Sequence, residues 1–214
     1  MNYKFLFTIL FILSGAYFLC AFSQQINHYN EVKLNVNFPQ GFDESKSNEI
    51  ITSLALEKYN LIKKGRIIKD KNWELYLNEI AGKLLQNESV LKQKIKVFCV
   101  KDLSANALSY IDGSIFLNQG LIIQLNTESE LAFIIAHEIA HIIKQHALKE
   151  IDLQNKITKS EINSDNNLGR RYRNLIHSKE NEYEADGIAL QLIIQAGYNP
   201  SVAINALNIL NSDS

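Results

Sequence analysis

Residues 137–141, His-Glu-Ile-Ala-His, follow the apolar run Leu131-Ala-Phe-Ile-Ile-Ala136, and together they dictate a buried helix that must accommodate two imidazoles and a carboxylate. Residues four apart on an α-helix lie about 40° apart around its axis and one turn apart along it, so His137 and His141 can aim at one point. The helix is apolar on nearly every side and belongs in an interior, where unpaired ionisable groups are costly. A metal ion offsets that cost. Zinc takes imidazole nitrogens at about 2.0–2.1 Å, and a catalytic site needs a third protein ligand and an open position for water. Glu138 lies beside the pair, where it can act on that water as general base.

The third ligand has to come from elsewhere. One arrangement of this motif places a third histidine six residues after the second, with glycine three residues after it, but those positions hold Ala147 and Lys144. His146 falls about 500° around the helix from His141 and is expected to be a solvated histidine near the helix end. Two downstream segments have the form Glu-x-x-x-Asp, Glu161/Asp165 and Glu182/Asp186. The first has roughly the twenty-residue spacing of thermolysin-like enzymes but sits in a stretch without a sustained apolar face. In the second, Ala185, Ile188, Ala189, Leu192 and Ile193 mark an amphipathic helix closed by Gly197 as C-cap. Helix quality favours Glu182. Asp186, one turn on, would accept the N–H of a ligating imidazole and fix its tautomer.

The blocks His137-Glu-Ile-Ala-His141, Glu182-Tyr-Glu-Ala-Asp186 and Ala196-Gly-Tyr-Asn-Pro200, with Asn106-Ala107 and Gly113-Ser-Ile-Phe-Leu-Asn-Gln-Gly-Leu121 upstream, resemble a known family. It is the zinc metallopeptidase family of the CAAX prenyl proteases, HtpX and BepA, gluzincins with HExxH and a downstream ExEAD. The resemblance covers about residues 70–205. It implies His137, His141 and Glu182 as ligands of one Zn²⁺ per chain, Glu138 as base and Asp186 as the support behind a ligand. It also suggests quality-control duties. Members of the family usually continue to a His-Pro element and an arginine that line the site, whereas this sequence has no histidine after His177. The resemblance therefore supplies no oxyanion-stabilising group.

At the N-terminus, one lysine precedes a long apolar run over residues 5–23, the pattern of an export signal. Ala21 and Ser23 favour cleavage before Gln24, and an uncleaved membrane anchor is the alternative, since the run approaches spanning length. Bulky Leu19 argues against lipidation of Cys20. The expected location is exported, periplasmic or cell-envelope, with the N-terminal segment as a candidate anchor. Cleavage would leave Cys99 without an intrachain partner, as a small core hydrophobe. A formal net charge of −1 provides no large field for attracting nucleic acid. Lys63, Lys64, Arg66, Lys69 and Lys71 form a basic cluster, either a solvated helix end or a contact for an anionic lipid surface.

Periodicity completes the outline. Residues 1–23 are the signal or anchor, 24–43 an N-terminal segment, and 44–214 one metallopeptidase domain. Val32, Leu34 and Val36 alternate as in a strand. Helix-spaced apolar positions run over 44–62 and 72–85, followed by strands at 95–100 and 114–117 and a turn at Asp112-Gly113. Thr127 with Glu130 makes a capping box that starts the metal helix at Glu128. Pro200 suits the start of a helix over 201–210. The order predicts an α+β, zincin-like (minigluzincin) single domain. Residues 114–117 then form either a sheet edge above the cleft, with Asn106, Gly113, Ser114, Ile115 and Phe116 contacting an extended peptide, or an interior strand with no ligand role.

The function expected is zinc-dependent hydrolysis of peptide bonds in extended or unfolded envelope proteins, by a water that Glu138 activates. The rival is a non-catalytic zinc-binding chaperone or adaptor for misfolded envelope proteins. A purely structural zinc domain would need a fourth Cys or His ligand at suitable spacing, and the sequence offers none.

Overall fold

Two kinds of apolar pattern meet in this chain, short runs that pleat and longer ones that coil. The computed structural model describes residues 44–145 and 179–211, together with Asn27, residues 30–33, Asn35, Val36, Phe38 and Leu148. Helices α1 (Glu44–Lys63), α2 (Lys71–Leu84) and α3 (Ser89–Lys94) precede strands β1 (Lys96–Val100), β2 (Ala107–Ser109) and β3 (Ser114–Asn118). After them come α4 (Gln119–Gln124), α5 (Glu128–Lys144), α6 (Lys179–Gln195), a 3₁₀ turn (Pro200–Val202) and α7 (Ala203–Leu210).

The sheet order is β1-β3-β2. β1 runs parallel to β3, with Val97 opposite Ile115, and β2 runs antiparallel to β3, with Leu108 opposite Phe116. Alternation along the strands divides the core in two. Val97, Cys99, Ile115 and Leu117 join the cluster that holds α5, while Phe98, Phe116 and Tyr110 join the one beneath α1. Phe98 stacks on Phe116 with ring centroids 5.3 Å apart. Each large side chain buried in these clusters contributes about 1.5–3 kcal/mol, so the α5 face of the sheet carries most of the stability.

Between β2 and β3 the chain reverses at Tyr110–Gly113, where Gly113 has φ +90° and an added Cβ would lie 2.7 Å from the Lys94 carbonyl oxygen. Only glycine fits there. Asp112 in this turn accepts from the Ser114 backbone N–H at 3.0 Å and from the Lys58 ammonium at 2.7 Å, pinning the turn to α1 through a buried ion pair.

Several expectations meet the structure directly. The α+β arrangement is as read, and α1, α2, β1, β3 and α5 fall within a residue or so of their predicted bounds. The strand pattern at Val32–Val36 is corrected, because residues 30–33 and Asn35 are helical and the Val36 N–H donates to the Val32 carbonyl at 3.1 Å. Two buried valines four apart serve one helix face as well as one strand face.

The placement of 114–117 at a sheet edge is also corrected. β3 is the central strand, and Gly113, Ser114, Ile115 and Phe116 are buried, so they present no surface to a peptide. The free edge belongs to β2, which is only three residues long and carries too little periodicity to announce itself. The expected location, exported and periplasmic or cell-envelope with the N-terminal segment as a candidate anchor, is corrected as well. Among the described residues no helix is long and apolar enough to cross a membrane. The run 5–23 and the expected cleavage point lie outside the described residues, as do His146, Glu161 and Asp165.

Candidate metal centre

Helix α5 starts where its sequence specifies. The Thr127 hydroxyl accepts from the Glu130 N–H at 3.2 Å, and the Glu130 carboxylate accepts from the Thr127 N–H at 2.9 Å, closing the capping box. A side-chain cap of this type is worth about 1 kcal/mol. Burial alone would raise the Glu130 pKa, but hydrogen bonds from Asn205, Asn126 and Thr127 hold it below the usual carboxylate range. At the far end Gln145 closes the helix with φ 52°. Every residue from Glu130 to His141 is buried.

α6 crosses α5 through its small residues Ala185 and Ala189, which are fully buried and allow the two backbones to approach closely. Gly197 ends α6 with φ +76°, its N–H donating to Ile194 and the Tyr198 N–H to Ile193, the paired bonds of a Schellman cap. The Lys144 ammonium pairs with the Glu184 carboxylate at the C-terminal end of α5.

These two helices bring the predicted residues together. The His137 and His141 rings lie with centroids 4.7 Å apart and planes at 74°, with their Nε2 atoms 3.1 Å apart. Glu182 reaches over them, Oε2 being 3.3 Å from His137 Nε2 and Oε1 3.6 Å from His141 Nε2. Asp186 Oδ1 lies 3.0 Å from His137 Nδ1 on the opposite side of the ring. The His137 and His141 side chains are 1% and 2% exposed, against 34% for Glu182, so the imidazoles form the floor and the carboxylate the rim. Glu138 is buried, and its charge acts on His137.

What this donor set accepts follows from its lone pairs. With Asp186 taking the Nδ1–H, the neutral His137 ring directs the lone pair of Nε2 at the Glu182 carboxylate and the His141 ring. One donor atom from each of His137, His141 and Glu182 lies within 4.8 Å of the others, so these residues could hold a metal ion. The electrostatics agree. Burial alone would depress the His137 pKa, but Asp186, Glu182 and Glu138 outweigh it and lift the value to about 10. The centre therefore favours one positive charge among its imidazoles and carboxylates, a proton or a cation.

Comparison with known proteins gives this geometry a family. Residues 72–164 match the model of peptidase family M48. Over that stretch the chain is similar to peptidase family M48. The matched stretch contains α5 and ends before α6, so Glu182 joins the site on geometry rather than through that match. A putative beta-barrel assembly-enhancing protease of Vibrio cholerae is 30% identical over 88 residues, which is 41% of this chain and 18% of that protein. The beta-barrel assembly-enhancing protease of Yersinia pestis is 23% identical over 168 residues, 69% of this chain and 35% of that one. The mitochondrial metalloendopeptidase OMA1 of Schizosaccharomyces pombe is 24% identical over 139 residues, 60% of this chain and 41% of that one. The chain thus spans between about a fifth and two fifths of the length of these relatives. The M48 domain is a metallopeptidase domain of zincin-like fold, and the family implies a metal cofactor.

Of the remaining predicted residues, Asn106 is exposed at the start of β2, its carbonyl accepting from the Asn118 N–H at 3.0 Å. β2 itself packs against α5. Sequence reasoning missed this strand and the Lys144–Glu184 pair. Asn106-Ala107 was the one signal that pointed toward the strand; no pattern in either helix links Lys144 to Glu184.

Proposed function

We propose that this chain is a zinc-dependent endopeptidase that cleaves extended or unfolded polypeptides. The observation that carries the reading is the convergence of His137, His141 and Glu182 on one point, with Glu138 on the same helix. Two imidazoles and one carboxylate are a catalytic zinc set, since they leave coordination positions open. When bound, zinc would supply Lewis acidity, acidifying a water and polarising the scissile carbonyl.

The chain's own groups do the rest. Asp186 holds the His137 ring by its Nδ1–H and keeps Nε2 facing the metal position. Glu138 takes the proton of the attacking water and returns it to the leaving nitrogen, so one carboxylate serves as base and then as acid. An extended substrate would lie antiparallel along the open edge of β2, recognised through main-chain hydrogen bonds with little regard for sequence. That mode suits unfolded proteins, because only they can offer a free strand. The names of the relatives, assembly-enhancing protease and metalloendopeptidase, support a role in protein quality control.

The test compares wild type and Glu138→Gln on a denatured protein, with zinc content measured in both. Cleavage should fall by about 10²–10⁴-fold while zinc content is unchanged. Cleavage at the wild-type rate in the variant would sink the assignment. Full biological effect without cleavage would replace it with a zinc-holding chaperone.

A further inference from the structure

Beside the outer edge of β1, where it meets α1 and α2, lies a cavity of about 510 Å³ lined from both faces of the sheet. Its volume lies within the roughly 300–1,000 Å³ of small-molecule sites. Leu77, Val97, Phe98, Cys99 and Phe116 make its depth, and Ile62, Ile68 and Trp73 its sides. Apart from Lys58, whose ammonium is taken up by Asp112, none of the buried lining side chains offers a strong hydrogen-bond donor or acceptor, so what enters must be largely apolar along its length.

The strand edge beside the cavity does not call for a peptide. The Asn78 side chain already donates to the Val97 carbonyl at 3.1 Å and accepts from the Val97 N–H at 3.0 Å, and the Ile68 N–H donates to the Cys99 carbonyl at 2.9 Å. With these backbone groups satisfied, strand addition has little left to bind. The mouth carries the polarity. Lys69 and Lys71 stand around it with a single carboxylate, Glu74, while Lys58, which also lines the cavity, is buried. Lys58 is committed to Asp112 at 2.7 Å, with Glu31 at 4.0 Å. Lys69 and Lys71, exposed, make no ion pair with a described residue and face solvent at the rim.

We infer that this cavity binds a single-chain anionic amphiphile, its alkyl tail in the apolar depth and its carboxylate or phosphate head at Lys69 and Lys71. An apolar tail matches walls without hydrogen-bonding side chains, and an anionic head matches the two ammonium groups left uncommitted at the opening. Trp73 on the wall is the only tryptophan of the chain, so its emission reports occupancy directly.

The experiment titrates the full-length chain with laurate, dodecyl phosphate and dodecyltrimethylammonium below their micelle-forming concentrations, reading Trp73 emission. Laurate or dodecyl phosphate should give a saturable one-to-one change, and the tighter of the two identifies the head group. Dodecyltrimethylammonium should bind more weakly than both. The double variant Lys69→Glu/Lys71→Glu should weaken the anionic ligands about tenfold. Both positions are exposed, and unchanged far-UV circular dichroism in the variant would establish that its fold is intact. The proposal is overturned if neither anion saturates, if the cationic surfactant binds as tightly, or if the double variant binds both anions like wild type.

Discussion

Helix α5 buries every residue from Glu130 to His141, whereas α6 buries only Ala185, Ala189, Leu192 and Ile193 and leaves Tyr183 and Ile194 largely in solvent. Both carry residues of the candidate metal centre, yet one is a core element with its own cap and the other a surface element whose position is set by its neighbour. The difference teaches how such a centre can be both ordered and accessible. The two imidazoles are fixed in the interior, where packing leaves them a single orientation. Glu182 stands on the half-exposed helix, where a cation or a substrate can reach it from water.

Three measurements would break or sharpen this comparison. The largest effect is expected at the surface helix. Zinc at about 100 times its Kd should stabilise the wild type by about 2.7 kcal/mol, and Glu182→Ala should lose that gain at the same zinc concentration, read by thermal unfolding. If the variant kept the zinc-dependent shift, α6 would not belong to the metal site. Next comes Asp186→Asn, which leaves the fold intact but weakens the hold on the His137 ring. Zinc affinity should fall by about 10–100-fold in a competition titration, and an unchanged affinity would show that burial alone orients the ring. The smallest effect belongs to the start of α5. Thr127→Ala should cost about 1 kcal/mol in urea unfolding with zinc affinity unaltered, because the cap lies far along the helix from the imidazoles. A concurrent loss of zinc affinity would mean that the two ends of α5 are coupled.

How much of this could be read in advance differs between the same two helices. The start of α5 and the convergence of its two imidazoles were legible, because a capping box, an unbroken apolar run and a His-x-x-x-His spacing are local patterns. For α6, the amphipathic spacing and Gly197 gave the helix and its end, and the choice of Glu182 over Glu161 rested on that quality together with the family resemblance. The edge of the sheet was not legible. Residues 114–118 look like any apolar strand, and whether they lie in the middle or at the margin depends on β2, whose three residues Ala107, Leu108 and Ser109 carry no periodicity worth the name. The same holds for Val32 and Val36, whose spacing satisfies two different periods.

The sequence by itself determined which residues can coil, which can cap and which carry donor atoms, because these depend on neighbours within one or two turns of chain. Only the tertiary structure decided that a carboxylate 41 positions beyond His141 sits within 3.6 Å of its ring, that β3 is central, and that a cavity opens beside the edge of β1. Those are outcomes of long-range packing. They depend on how close Ala185 and Ala189 allow two helices to come, and on which strand finds which partner, and no local pattern encodes either.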